Sequence, residues 1–306
     1  MARILVTGGL GYIGYDLIKN LLKDNDNEVL IYDNMYRKNL GILFHKRLKG
    51  KRVKFIEGDI LNERKLIEVS EGVDIIYHLA AKANSPYGLD DFHMYDYVNN
   101  WGTANVVKAA LKCKISRFIY MSSLSVYGHS SEVLSSLSSP NPSSDYAISK
   151  LAGERQLKML DGKIDYSIVR SSNTYGYNPS IRLDTVVNNF VYRSIFGQTL
   201  IIHGDGEESR GFISIDRLTI QLAQIINENN RDKLYHLCDH SISIMKLVEI
   251  IKDINPKTEY RHVNPQRKMV DQRFEPMGLP GMEVLSNQVL RENIKSFFNK
   301  FTVLGL

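Results

Sequence analysis

Arg3-Ile-Leu-Val-Thr7, followed at once by Gly8-Gly-Leu-Gly11-Tyr-Ile-Gly14, decides the fold of this chain. Ile4 to Val6 is an apolar run of strand length, and the glycines lead into Tyr12 to Leu22, whose apolar residues recur at helical spacing. A strand that runs into glycines at the mouth of a helix presents backbone N–H groups with no side chains in front of them. That arrangement holds the pyrophosphate of a dinucleotide. A second strand, Glu28-Val-Leu-Ile-Tyr32, ends on Asp33, nineteen residues past Gly14, where an acid meets the adenine ribose hydroxyls. Glycine spacing alone is a weak signal and an ordinary glycine-rich turn would match it. Strand, glycines, helix, strand and terminal acid in one stretch are specific.

The alternation continues outward. Val53–Glu57, Val73–Leu79, Arg117–Met121 and Tyr166–Arg170 read as strands with helices between them, clearest over Tyr97–Leu111, where Val98, Trp101, Ala104, Asn105, Val106 and Ala109 fall at helical spacing. Repeated strand–helix units predict an α/β fold with a doubly wound parallel sheet of Rossmann type. Ligands of such sheets bind beyond the carboxyl ends of the strands. Those ends carry Thr7-Gly8, Asp33-Asn34, Gly58-Asp59, Ala80-Ala81 and Ser122-Ser123. Turn chemistry would explain any one of them, and a shared site explains all five. From residue 173 the rhythm loosens into strands at Leu200–His203 and Leu234–Cys238 and helices over Thr185–Phe196, Asp216–Asn227, Ile244–Ile254 and Arg291–Phe301. The expectation is a dinucleotide-binding domain over residues 1–172. A smaller C-terminal substrate lobe over residues 173–306 would interleave with the last strands of the sheet.

The composition bounds the function. A chain of 306 residues, 43% hydrophobic and 24% charged, is that of an ordinary globular enzyme, and a net charge of +5 from scattered Lys and Arg favours small anionic ligands over nucleic acid. Cys113 and Cys238 are too few for a disulfide framework and read as core thiols of a reducing compartment. No apolar run reaches membrane-spanning length, and a strand beginning by residue 3 leaves no room for a signal peptide. The expected location is therefore cytoplasmic, with no membrane partner and no metal site. Ser130 to Ser144 holds eight serines and two prolines, which fits either a flexible linker or an active-site loop.

Chemistry enters with Tyr146-Ala-Ile-Ser-Lys150. At i and i+4 the phenol and the ammonium share one helix face. A free tyrosine, with a pKa of about 10, is a poor base at neutral pH, and a neighbouring cation favours its phenolate. Such a tyrosine can take the proton of a sugar hydroxyl while hydride leaves the same carbon. Ser123, at a strand end, could bond the reacting oxygen. Most Tyr-x-x-x-Lys pairs are plain surface helix pairs, and the preceding dinucleotide site is what sets this one apart.

Together these residues resemble the extended short-chain dehydrogenase/reductase family, in its NAD-dependent nucleotide-sugar epimerase/dehydratase branch of UDP-glucose 4-epimerase-like enzymes. The resemblance includes the glycine turn, Asp33-Asn34, Gly58-Asp59, His78-Leu-Ala-Ala81, Asn99 with Gly102-Thr103, Ser122-Ser123 with Val126-Tyr-Gly128, and Tyr146 with Lys150. It extends through Arg170-Ser-Ser-Asn173 and through Gly204 to Asp216, which carries Arg210. The resemblance implies NAD as cofactor, held by Gly8, Gly11, Tyr12, Ile13, Gly14, Asp33, Asn34, Asp59, Ile60, Leu79, Ala80, Ala81, Asn99, Tyr146 and Lys150. It implies Ser123, Tyr146 and Lys150 as catalytic residues. A nucleotide-diphosphate sugar would meet Ser123, Tyr146, Asn173 and Arg210, whose guanidinium suits diphosphate oxygens.

Departures narrow the reading. Leu124 and Ser125 stand where 4,6-dehydratases of the family carry an acid pair, so dehydration is not expected. Glu208 replaces the family's usual glutamine, the leucine-glycine-tryptophan ending is absent, and Arg267-Lys268 with Asp271 only loosely match a uridine-sugar site. The nucleotide base stays open. The expected activity is 4-epimerisation through a transient 4-keto sugar. A dehydrogenase or ketoreductase of the same family, or a non-catalytic dinucleotide-binding protein, are the alternatives. Relatives of this branch pair two long helices per subunit into a homodimer. Here those helices would be Met94–Cys113, with Val98, Trp101, Val106 and Ala109, and Asp145–Leu160, with Ile148, Leu151, Ala152 and Leu157; a monomer with both buried in its core is the alternative.

Overall fold

Ile4, Leu5, Val6 and Thr7 are all buried, and they set β1 (Arg3–Thr7) inside a seven-stranded sheet. The structure, a computed structural model, describes residues 2–24, 26–39, 43, 52–83, 92–227, 233–264 and 271–302. In chain order there follow α1 (Tyr12–Leu21), β2 (Glu28–Asp33), β3 (Val53–Glu57), α2 (Glu63–Ser70), β4 (Ile75–His78), α3 (Phe92–Asp96), α4 (Gly102–Cys113), β5 (Arg117–Ser123), α5 (Asp145–Gln156) and β6 (Asp165–Ser171). Beyond them come β7 (Asn173–Tyr175), α6 (Val186–Ile195), β8 (Leu200–His203), β9 (Ser209–Ser214), α7 (Ile215–Gln224), β10 (Leu234–Leu237), β11 (His240–Ser243), α8 (Ile244–Ile254), β12 (Tyr260–Val263) and α9 (Asn287–Thr302).

The large sheet has the order β10-β6-β5-β4-β1-β2-β3, and every pairing in it is parallel. Side chains of a strand alternate between faces. Ile4 and Val6 accordingly join Leu17, Ile18, Leu218 and Leu222 on the α1/α7 face. Leu5 joins Val106, Val107 and Phe118 on the face covered by α2 and α4. The chain leaves β1 toward β2 and β3, then returns to the other side of β1 at β4, and a crevice opens between the ends of β1 and β4. Ligands of open α/β sheets bind at such a reversal. Gly8 ties its two walls together: it adopts φ +71°, and a Cβ there would stand 2.6 Å from the Ala80 amide nitrogen.

Residues after 172 serve both layers. β10 completes the large sheet beside β6, and α7 covers its face against α1. The remainder forms a lobe of two small sheets, β11-β9-β7 and β12-β8, around Tyr175, Phe212, Leu247, Leu290 and Phe297. No helix among the described residues is long and apolar enough to cross a membrane.

Three expectations need correcting in detail. The helix expected over Tyr97–Leu111 is present but not α throughout: a π-helical turn, Tyr97–Trp101, joins α3 to α4 without a break, and it turns Asn99 into the interior at 1% exposure. Cys113 is only partly buried at the end of α4, where its thiol donates to the Ile67 carbonyl, while Cys238 is buried one residue past β10. Ser130–Ser144 is not a free linker. Leu134 bridges to Phe274, and the backbone of Ser130 donates to the Asp271 carbonyl, so the loop is fastened along residues 271–275. Arg267 and Lys268 lie outside the described residues.

Candidate active site

One cavity of about 820 Å³ runs along the carboxyl ends of the strands, from Asp33 at one end to Arg210 at the other. Its first half fits a dinucleotide. Gly11 is the N-cap of α1 with no side-chain bond to the helix amides, and the first turn carries no acid, so those amides are open to an anion. Gly8, Gly11, Tyr12, Ile13 and Gly14 line this part. Asp33 closes β2 and accepts hydrogen bonds from the Leu10 amide at 3.1 Å and the Met35 amide at 2.8 Å, which fixes its carboxylate at the rim. Burial pushes that carboxyl above the usual carboxylate range, and the two amides partly offset the rise. Asn34 donates to Asp59 at 2.9 Å, and Asp59, Ile60, Leu79, Ala80 and Ala81 complete the wall. Ribose acid, open helix amides and a glycine cradle that a Cβ would fill form a set that suits NAD.

Asn99 departs from its expected role. Its amide takes the Lys82 N–H at 2.8 Å, donates to the Lys82 carbonyl at 3.0 Å and to the Ser149 hydroxyl at 2.9 Å. It stands behind the wall that Lys82 forms rather than in the cavity lining, and so holds the strand end that a cofactor would touch. His78 is likewise a pillar. Thr7 and Thr103 bond its two ring nitrogens at 2.7 and 3.0 Å, and burial drops its pKa to about 3, which leaves the ring neutral.

The second half brings Ser123, Tyr146 and Lys150 together. Ser144, the N-cap, accepts the Ala147 amide at 3.2 Å and so starts α5 at Asp145. Gly153 lets α5 approach the π turn, since a Cβ there would meet the Tyr120 hydroxyl and the Asn99 carbonyl. Burial pushes the Tyr146 phenol upward, while the Arg182 guanidinium and a hydrogen bond with Ser123 hold it down. Lys150 rests 4.2 Å from the Tyr120 ring centroid, and burial lowers its pKa to about 7 against the pull of Glu154. Arg182 is thus a cation near the phenol that the sequence did not mark, and Lys150 stands one helical turn along α5 from Tyr146. Asn173 and Arg210 line the same cavity, Asn173 donating to the Gly211 carbonyl at 3.0 Å. Arg210 faces Glu208 and Asp271; burial lowers its pKa and both acids offset this.

Behind Lys150 lies a buried polar network that spacing did not reveal. Glu154 accepts Arg170 in a fork at 2.9 and 2.6 Å and the Ser122 hydroxyl at 2.6 Å. Arg170 also donates to the Tyr127 hydroxyl at 2.8 Å, and Tyr127 meets His236 at 2.5 Å. Arg170 thus supports the catalytic helix from β6 and does not line the cavity. The signal was present in the i+4 spacing of Lys150 and Glu154. The partner, 16 residues further on in the next strand, is what local reading missed.

A parallel open sheet whose glycine turn, strand-end acid and Ser-Tyr-Lys group share one cavity defines a dinucleotide-dependent enzyme of the extended short-chain dehydrogenase/reductase type. The model of the NAD dependent epimerase/dehydratase family matches residues 4–237, and the chain belongs to that family. It is 30% identical over 274 residues to the human dTDP-D-glucose 4,6-dehydratase, covering 84% of this chain and 76% of that protein. It is also 30% identical over 274 residues to an uncharacterized UDP-glucose epimerase, YtcB, of Bacillus subtilis, covering 85% and 84%. Among solved structures, the UDP-glucuronic acid 4-epimerase of Bacillus cereus, in complex with UDP-glucuronic acid and NAD, superposes with a TM-score of 0.88 at 25% identity over 99% of both chains. The chain is an NAD-dependent enzyme.

Proposed function

We propose that the enzyme epimerises a nucleotide-diphosphate sugar at C4 through a transient 4-keto sugar. One observation carries this reading. The residues that follow Ser123 into the cavity are Leu124 and Ser125, neither of which can act as an acid. The carboxylates lining the cavity lie elsewhere: Asp33 and Asp59 at the ribose end, Asp184 paired with Arg182, and Glu208 beside Arg210. Loss of water from the sugar needs a proton donor next to the leaving hydroxyl. With none beside Ser123 among the described residues, reversible oxidation at the hydroxyl facing Tyr146 is the chemistry this group supports. The likeness to the Bacillus cereus 4-epimerase accords with it.

In this reading Arg210 grips the diphosphate and Asn173 sits against the sugar. Ser123 bonds the C4 oxygen, and Tyr146 as phenolate takes its proton, then returns it. NAD, held by the glycine turn and Asp33, would supply the hydride acceptor and donor, and the keto sugar would turn in the cavity between the two transfers. The cycle is redox-neutral. Purified enzyme carrying its cofactor should therefore turn over a nucleotide sugar many times with no NAD added. A single stoichiometric burst that stops until NAD is supplied would point to a dehydrogenase instead.

The same reading includes a homodimer. Met94, Tyr97 and Trp101 on the α3–α4 run, 48%, 53% and 60% exposed, and Ile148 on α5, 40% exposed, leave an apolar face open. Val106, Ala109 and Leu157, expected to share it, are buried in the subunit, and Val98, Leu151 and Ala152 are half-buried. The contact would thus rest on the outer residues. Light scattering at micromolar concentration should give a dimer, and Trp101→Glu with Ile148→Lys should give a folded monomer. A monomeric unmodified protein would remove the proposal.

A further inference from the structure

Glu208 stands in the cavity wall beside the arginine assigned to the substrate. It directly precedes β9, and side chains two apart along a strand share a face, so its carboxyl and the Arg210 guanidinium open onto the same cavity. The residue is 8% exposed, and the Ile244 amide pins its carbonyl at 3.2 Å. Among the described residues its carboxyl takes a hydrogen bond from its own backbone amide and from no other group. Arg210 is loosely held as well, its guanidinium donating to the Ser209 carbonyl at 3.5 Å. Asp271, by contrast, is engaged: it accepts the Ser209 amide at 2.8 Å and stands 3.5 Å from Arg273. Asp205 in the preceding turn acts on Glu208, His203 at the end of β8 lines the same cavity, and α8 meets it with the apolar Ile244.

Burial pushes the Glu208 carboxyl above the usual carboxylate range, Asp205 and Asp271 push the same way, and its own amide and Arg210 hold it down. A diphosphate gripped by Arg210 brings negative charge to this place and takes up the charge of the guanidinium. An ionised Glu208 would then face the phosphates with no cation of its own, and like charges favour the protonated form. In that form the carboxyl is a donor. It offers one O–H and one C=O, much as a side-chain amide offers N–H and C=O. An O–H directed at a phosphate oxygen makes a charge-assisted bond.

We propose that Glu208 binds the substrate's diphosphate as a neutral acid, donating a hydrogen bond to a phosphate oxygen beside Arg210, so that the nucleotide sugar enters together with one proton from solvent. The assignment rests on the reading of Arg210 as the diphosphate grip and deepens it. Glu208 is then a substrate-binding residue that sets the pH range over which the sugar is held. Its pKa rises on binding, so affinity is full in acid and is lost as the pH climbs through that of the occupied site.

The test is titration calorimetry of UDP-glucose, dTDP-glucose and UDP-glucuronic acid into Tyr146→Phe holoenzyme, in which turnover is slowed. Nucleotide sugars are used because the terminal phosphate of a free nucleoside diphosphate itself titrates at about pH 6. Buffers of different ionisation enthalpy count the protons. With Glu208 present, binding should take up close to one proton within the range of about pH 5–8, and Kd should rise there by up to about tenfold per pH unit. Glu208→Gln keeps a donor and has no proton to take up. Its Kd should match the acid limit of the parent and stay flat. Glu208→Leu should also be flat and bind about tenfold more weakly or worse. Lys150 and His203 are common to all three, so the difference between the profiles belongs to Glu208. Binding that depends on Arg210 yet takes up no proton overturns the assignment and leaves the diphosphate reading standing. So does a Glu208→Gln profile as steep as the parent's, or weaker binding by Glu208→Gln at every pH, which an ionised acceptor would give. If Arg210→Gln leaves Kd unchanged, or none of the three sugars binds, both fall.

Discussion

Tyr146→Phe is expected to lower kcat by about a hundredfold or more, the usual worth of a positioned acid–base group, while NAD binding stays close to that of the unmodified enzyme. The change removes one oxygen. The ring keeps its edge contact with Tyr95 at 6.2 Å, and the Ser144 cap that starts α5 is untouched. What disappears is the group hydrogen-bonded with Ser123 and polarised by Arg182, the one that takes the C4 hydroxyl proton in the proposed cycle. Steady-state kinetics on the accepted nucleotide sugar, with the melting shift caused by NAD as control, measure both halves. Near-full activity would remove Tyr146 from the mechanism.

Glu154→Gln is expected to cost about 3–5 kcal/mol of stability, the range for stranding one partner of a buried ion pair. Glu154 and Arg170 are both about 6% exposed at the side chain, and the amide that replaces the carboxylate leaves the guanidinium uncompensated beside the Tyr127 hydroxyl. Because α5 carries Lys150 one turn earlier, the loss would also loosen the catalytic helix. Denaturant melts should show the fall, and Glu154→Gln with Arg170→Met should recover part of it, since the pair is then removed whole. A single variant as stable as the unmodified protein would mean the fork contributes nothing.

The parts of the molecule that could be read in advance are those whose physics is local. β1, the glycine turn, α1 and the acid at the end of β2 follow one another within reach, and each has its own signal in period, cap or conformation. Tyr146 and Lys150 were legible for the same reason. What stayed hidden depends on tertiary contact. The π turn at Tyr97–Trp101 shifts the helical register by one residue and is invisible to a repeat of 3.6. The return of β10 to the large sheet is a pairing with β6, more than sixty residues back, which no local pattern encodes. Ser130–Ser144 looks unstructured by composition because its order comes from residues 271–275. Arg182 was missed because nothing in its neighbourhood marks it; the bonds from Asn178 and Ser180 to the glycine turn bring it to the cavity.

The central claim, that hydride leaves C4 and comes back to C4, is tested most directly with a nucleotide sugar carrying deuterium at that carbon. The enzyme with its own bound NAD is incubated with the labelled sugar in ordinary water, and the products are read by NMR and mass spectrometry. The account predicts a C4-inverted product that retains deuterium at C4 through many turnovers. Deuterium moved to C6 with loss of water, or hydrogen from solvent at an inverted C4, would contradict it.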